Sequence, residues 1–146
     1  MAIQLNFDSL ASSCISQAEE RLNLAKIEYE RKKYNIVVRL CQESVELSLK
    51  ACLRLVNIEP PKFHDVGPIL KNNADKFPQW FKEKIDIFAS YSRSLRKERE
   101  LSMYGDEETN TPPELLYSDY DAQQSIKMAE EVLEYTRKLY EEKRTK

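Results

Sequence analysis

"YNIVVRLCQESVELSLKACLRLV", residues 34–56, is the stretch on which the fold turns. On a helix of about 100° per residue, Val37, Cys41, Val45, Leu49, Cys52 and Val56 form one apolar stripe. Leu40, Ser44, Leu47, Ala51 and Leu55 form a second, leaving only a narrow polar strip of Arg39, Glu43, Glu46, Lys50 and Arg54. A helix apolar over most of its circumference must touch several neighbours, so this segment reads as the central staff of a bundle.

Outward from it, the flanking segments carry the same period. Upstream, Phe7, Ala11, Cys14, Ala18, Leu22, Ala25 and Tyr29 recur at steps of three and four, predicting a helix from about Phe7 to Lys32 that Asp8 or Ser9 caps. Downstream, the paired prolines of "NIEPPKFHDVGP" remove two backbone donors and break the pattern. A short helix over "GPILKNNADKF" follows, and Pro78 then opens another long helix that Gly105 ends. "DEETNTPPELLYS" reads as a polar loop. Ser118 or Asp119 then caps a last helix with the stripe Ala122, Ile126, Ala129, Leu133, Thr136 and Tyr140, and the tail "EEKRTK" is expected to fray.

Composition supports the same class. Two glycines and six prolines in 146 residues, with abundant Leu, Ala, Glu and Lys, suit an all-α protein better than a sheet protein. The expected fold is an antiparallel bundle of four long helices plus one short helix, as a single domain over 1–146 with a core of about 7–140. A formal net charge of −2 provides no global positive field, so any nucleic-acid contact must be local. The three cysteines, Cys14, Cys41 and Cys52, contain no C-x-x-C pair and lie in helical stripes, as expected of a reduced, cytoplasmic protein. No apolar run reaches the ~20 residues needed to cross a bilayer, and no membrane association is expected.

Few chemical signatures are present. His64 is the only histidine, and the glycines stand apart, which argues against a multi-histidine metal site and against a phosphate loop. No metal and no cofactor are expected; for His64, in "FHDV", satisfying a loop carbonyl or carboxylate is preferred over catalysis. In "RKERELSMYGDEE", residues 96–108, Arg93 and Lys97 read as a solvated face, whereas the projection places Arg99 on the stripe of Phe81, Ile85, Phe88, Ser92 and Leu95. An arginine aimed at the core must find acceptors, so it either crosses to a carboxylate such as Glu46 or faces a cleft that binds an anion.

These residues resemble the HEPN domain family, the higher-eukaryote and prokaryote nucleotide-binding domains. The family's second helix reads Gln-Gln-x-x-Glu-x-x-Leu-Lys-Ala followed by His-Asp-Leu, and Gln42, Glu43, Glu46, Leu49, Lys50 and Ala51, then His64, Asp65 and Val66, are similar to it. "RELSMYGDEE" resembles the Arg-x-x-Ala-x-Tyr segment of small prokaryotic members through Arg99, Ser102 and Tyr104. The resemblance implies a helical bundle, commonly a homodimer, often encoded beside a minimal nucleotidyltransferase in toxin–antitoxin systems. It also implies a nucleotide or RNA ligand, for which Arg96, Arg99, Tyr104 and Asp106 are the candidate contacts.

Members with Arg-x(4–6)-His resemble metal-independent ribonucleases, but the histidine is absent here: the spacing from Arg99 reaches Tyr104, Gly105 and Asp106. Cleavage by 2′-hydroxyl attack needs groups exchanging protons near neutrality, and a phenol with a pKa near ~10 is a poor base. A nucleotide- or RNA-binding module is therefore the leading expectation. A ribonuclease with Arg99 and Tyr104 as catalytic residues is the alternative. A homodimer is expected also because the staff helix offers more apolar surface than one partner covers, and Trp80, Phe81 and Tyr91 widen the neighbouring face.

Overall fold

The computed structural model describes residues 2–62 and 65–144, with side chains from Ser9 onward. Its helices are α1 (Ala2–Glu30), α2 (Tyr34–Leu55), α3 (Gly67–Asn72), α4 (Gln79–Lys82), α5 (Ile85–Tyr104), α6 (Pro113–Leu116) and α7 (Asp119–Arg144), with a 3-10 turn at Ala74–Lys76. The four long helices are α1, α2, α5 and α7. Among the described residues the only β pairing is an isolated bridge between Asp106 and Thr111.

The staff helix behaves as its stripes require. Val37, Cys41, Val45, Leu49 and Cys52 on one side and Ser44, Ala51 and Leu55 on the other are buried. Small residues on α1, Ala11, Ala18 and Ala25, bring its backbone close, and Ser44 Oγ donates to the Ala18 carbonyl at 2.8 Å. On the α7 side Cys52 Sγ meets Thr136 Oγ1 at 3.2 Å, and Thr136 Oγ1 donates to the Val132 carbonyl at 2.7 Å. Cross-helix partners run in opposite order along each pair: Glu19 with Arg137 and Lys26 with Glu130 between α1 and α7, Asn35 with Ser102 and Glu46 with Arg96 between α2 and α5. Long helices consecutive in the chain thus run antiparallel, while α2 and α7, which pack together through Cys52 and Thr136, run parallel.

Several boundaries differ from the sequence expectation. Helix α1 starts at Ala2, so Asp8 and Ser9 lie within it rather than capping it. The expected helix from Pro78 is interrupted at Glu83 and Lys84. Neither Pro nor Gly sits there; beside the break the buried Phe81 is stacked on Phe77 at 4.7 Å and edge-on to Phe88 at 5.9 Å. The polar loop holds α6, whose first position is Pro113, where a missing N–H costs nothing. Helix α7 continues to Arg144, so the first residues of the tail are helical. Ser118 caps it reciprocally, its Oγ accepting from the Asp121 N–H at 3.2 Å while its own N–H donates to Asp121 Oδ2 at 2.9 Å.

Two consequences bear on function. The wide apolar surface of α2 is covered by α1, α5 and α7 of the same chain, and Trp80 and Tyr91 are partly buried against this core. Arg99 is exposed, not aimed at the core. Early in α5 the buried face is Ile85, Phe88, Ala89 and Ser92, where Ala89 packs under Gly67 of α3. Beyond Ser92 α5 still faces α2, through Arg96 with Glu46 and Ser102 with Asn35, while Tyr117 Oη donates to Glu98 at 2.8 Å on its flank; the buried positions there are Leu95 and Ser102. Arg99, about 40° from Leu95 and about 60° from Ser102 around the helix, lies at the edge of that face and is exposed.

Candidate functional site

A polar seam joins α2 to α5. Glu46 Oε1 accepts from Arg96 Nη1 at 3.3 Å and from Gln42 Nε2 at 3.4 Å, and Glu46 Oε2 lies 3.6 Å from Lys50 Nζ. The i, i+4 spacing of Gln42, Glu46 and Lys50 stacks all three on one face of α2, opposite the turn of α5 that carries Arg96. The carboxylate expected to receive Arg99 thus receives Arg96. With side chains 29% and 31% exposed, the pair sits at the protein–solvent boundary, screened less than a surface pair and not fully desolvated.

Asp65 forms the second part of the seam. Its Oδ1 accepts from Ser92 Oγ at 2.8 Å and from the Gly67 N–H at 3.1 Å, tying the start of α3 to α5. The approach at Gly67 is close: a Cβ there would lie 3.2 Å from the Ala89 Cβ, which would have to give by a few tenths of an ångström. His64 lies outside the described residues.

The C-terminal part of α5 presents the remaining candidates. Arg93, Lys97 and Arg99 are exposed, and the Arg99 guanidinium has no carboxylate partner among the described residues. Tyr104 is 65% exposed. Arg99 and Tyr104 leave the helix about 140° apart, at about 100° per residue, so one chain does not bring them together. Asp106 is occupied as a turn former, its Oδ1 accepting from the N–H groups of Glu108 at 3.0 Å and Thr109 at 3.4 Å. Beside Tyr104 an open groove of about 490 Å³ lies between the start of α2 and the end of α5, lined by Asn35, Ile36, Arg39, Leu40, Glu43, Ser102 and Met103 as well as Tyr104.

Residues 11–139 match the family model described as HEPN domain. This chain belongs to the HEPN domain family. Neither the comparison with curated proteins nor that with solved structures gave a match. HEPN membership supports a nucleotide- or RNA-related module in general terms, on an all-α bundle.

Within this HEPN domain, the signature residues Gln42, Glu46, Lys50 and Asp65 form the helix-to-helix seam, whereas Arg99 and Tyr104 face solvent. The groove residues Asn35 and Arg39 were missed in the sequence because both belong to the polar edge of an otherwise core-directed helix. Only their partners, Ser102 and Glu43, reveal them. Among the described residues no three His, Cys, Asp or Glu side chains converge as metal ligands, and no helix is long and apolar enough to cross a membrane.

Proposed function

We propose that this HEPN domain is a nucleotide- or RNA-binding module that contacts phosphate through the outer face of α5, with Arg99 as its principal cation and Tyr104 as an exposed aromatic surface. The observation that supports the reading is the contrast between two arginines three residues apart. Arg96 is held by Glu46, while Arg99 is exposed and has no acidic partner among the described residues. A guanidinium in that position offers its donors to phosphate without first breaking an ion pair. Arg93 and Lys97 extend the local cationic face on a chain of net negative charge. A homodimer and a minimal nucleotidyltransferase partner in a toxin–antitoxin-like system complete the proposal, on the strength of the family resemblance.

Metal-independent RNA cleavage is the lesser reading. Arg99 and Tyr104 diverge around α5, and the motif position holds no histidine. Purified protein incubated with RNA in a chelator distinguishes the two: the module retains RNA intact, and Arg99→Ala loses the retention. Cleavage by the wild type that disappears in Arg99→Ala would establish the ribonuclease instead.

A further inference from the structure

We infer that the groove between α2 and α5 is the seat of one nucleotide unit, its base lying against Tyr104 and its phosphate at Arg39. This assignment rests on the nucleotide-binding reading above and locates the ligand at residues outside the cationic face of α5.

The chemistry of the walls selects this class. Ile36, Leu40 and Met103 give the groove an apolar lining, and the Tyr104 ring, 65% exposed, is free of any aromatic neighbour among the described residues. A planar, π-faced ligand suits such a surface, because stacking on an aromatic ring is tolerant of base identity. Asn35 donates its Nδ2 to the Ser102 carbonyl at 3.3 Å, which fixes the amide and leaves its oxygen as an acceptor beside the lining.

Charge at the mouth completes the fit. Glu43 receives two arginines, Arg21 Nε at 3.3 Å on Oε1 and Arg39 Nε at 3.4 Å on Oε2. One carboxylate against two guanidiniums leaves a net positive charge, and both contacts use Nε, so the Arg39 terminal nitrogens remain available to a phosphate. At about 490 Å³ the groove falls within the usual range of ligand sites, roughly 300–1,000 Å³.

The test uses 2-aminopurine, whose fluorescence is quenched on stacking, as the riboside 5′-monophosphate and as the terminal base of a short single-stranded RNA. Wild type should quench both probes if a single nucleotide suffices, or only the RNA if the unit must belong to a strand. Arg39→Gln and Ile36→Glu, both at the groove rim, should each weaken the quenched complex by about tenfold or more. Retention of RNA by wild type with unchanged quenching in Arg39→Gln and Ile36→Glu would overturn the groove while sparing the binding module. Absence of binding by wild type would overturn both.

Discussion

Arg96, not Arg99, is the arginine of α5 that crosses to α2, its Nη1 lying 3.3 Å from Glu46 Oε1. The two residues should therefore separate stability from binding. Arg96→Ala leaves Glu46 half-buried with only Lys50 and Gln42, and should cost about 1–2 kcal/mol, between a surface pair and a buried one. Arg99→Ala should stay within about 0.5 kcal/mol of wild type. Urea unfolding of the two variants checks the order; a larger loss in Arg99→Ala would show that this side chain is structural.

Gly105 should resist substitution. Its φ of 77° with ψ of −172° lies where essentially only glycine is found, and a Cβ would collide with the Thr111 carbonyl oxygen across the Asp106–Thr111 bridge. Gly105→Ala should cost at least about 2 kcal/mol through that strain. A melting temperature equal to wild type would mean the turn is not closed as described.

The Lys84–Glu131 pair should leave a signature in acid. Burial pushes the Glu131 carboxyl up, but hydrogen bonds from Lys84 at 2.9 Å and Tyr91 at 2.8 Å outweigh it and hold the carboxyl below its ordinary value of 4.5. The Lys84 ammonium is raised above 10.5 by the same hydrogen bond and charge. A depressed carboxylate contributes stability that is complete above 4.5 and is lost as pH falls through its folded value; the raised ammonium's contribution is complete below 10.5 and is lost as pH rises through its folded value. Glu131→Gln should thus melt below wild type at pH 7, and the gap should narrow as pH falls below 4.5 in parallel melts.

Thiol labelling probes the core. Burial pushes Cys41 and Cys52 up to about 12, so neither is a thiolate at neutral pH, and Cys14 is only partly buried. A thiol reagent at pH 8 should label at most Cys14 in the folded protein and all three cysteines in denaturant. Rapid native labelling of two or more would contradict the α2 packing.

The long helices were legible because α2 reports its surroundings residue by residue: Val37, Cys41, Val45, Leu49 and Cys52 are buried as their spacing demands. Ser118 was legible as a cap for a local reason, since its partner Asp121 is three residues away. Arg99 was not, because within α5 the roughly 100° projection places it between Ser92 and Leu95, whereas periodicity gives direction around a helix and not how far along it neighbouring elements provide cover. The apolar width of α2 suggested a dimer surface, yet three helices of the same chain cover it. Arg39 was hidden for the opposite reason: a charge on a polar strip reads as solvated until Tyr104 and Met103 are seen across the groove.

If Arg99 serves phosphate rather than the fold, its loss shows in the salt dependence of RNA binding. Anisotropy of a labelled single-stranded RNA, titrated with wild type and Arg99→Ala at several salt concentrations, tests it most directly. Wild-type affinity should fall linearly with log salt, and Arg99→Ala should bind more weakly with a slope shallower by about 0.7, the counterion release of one single-strand phosphate contact. Equal affinity and equal slope in the two proteins would show that Arg99 makes no phosphate contact.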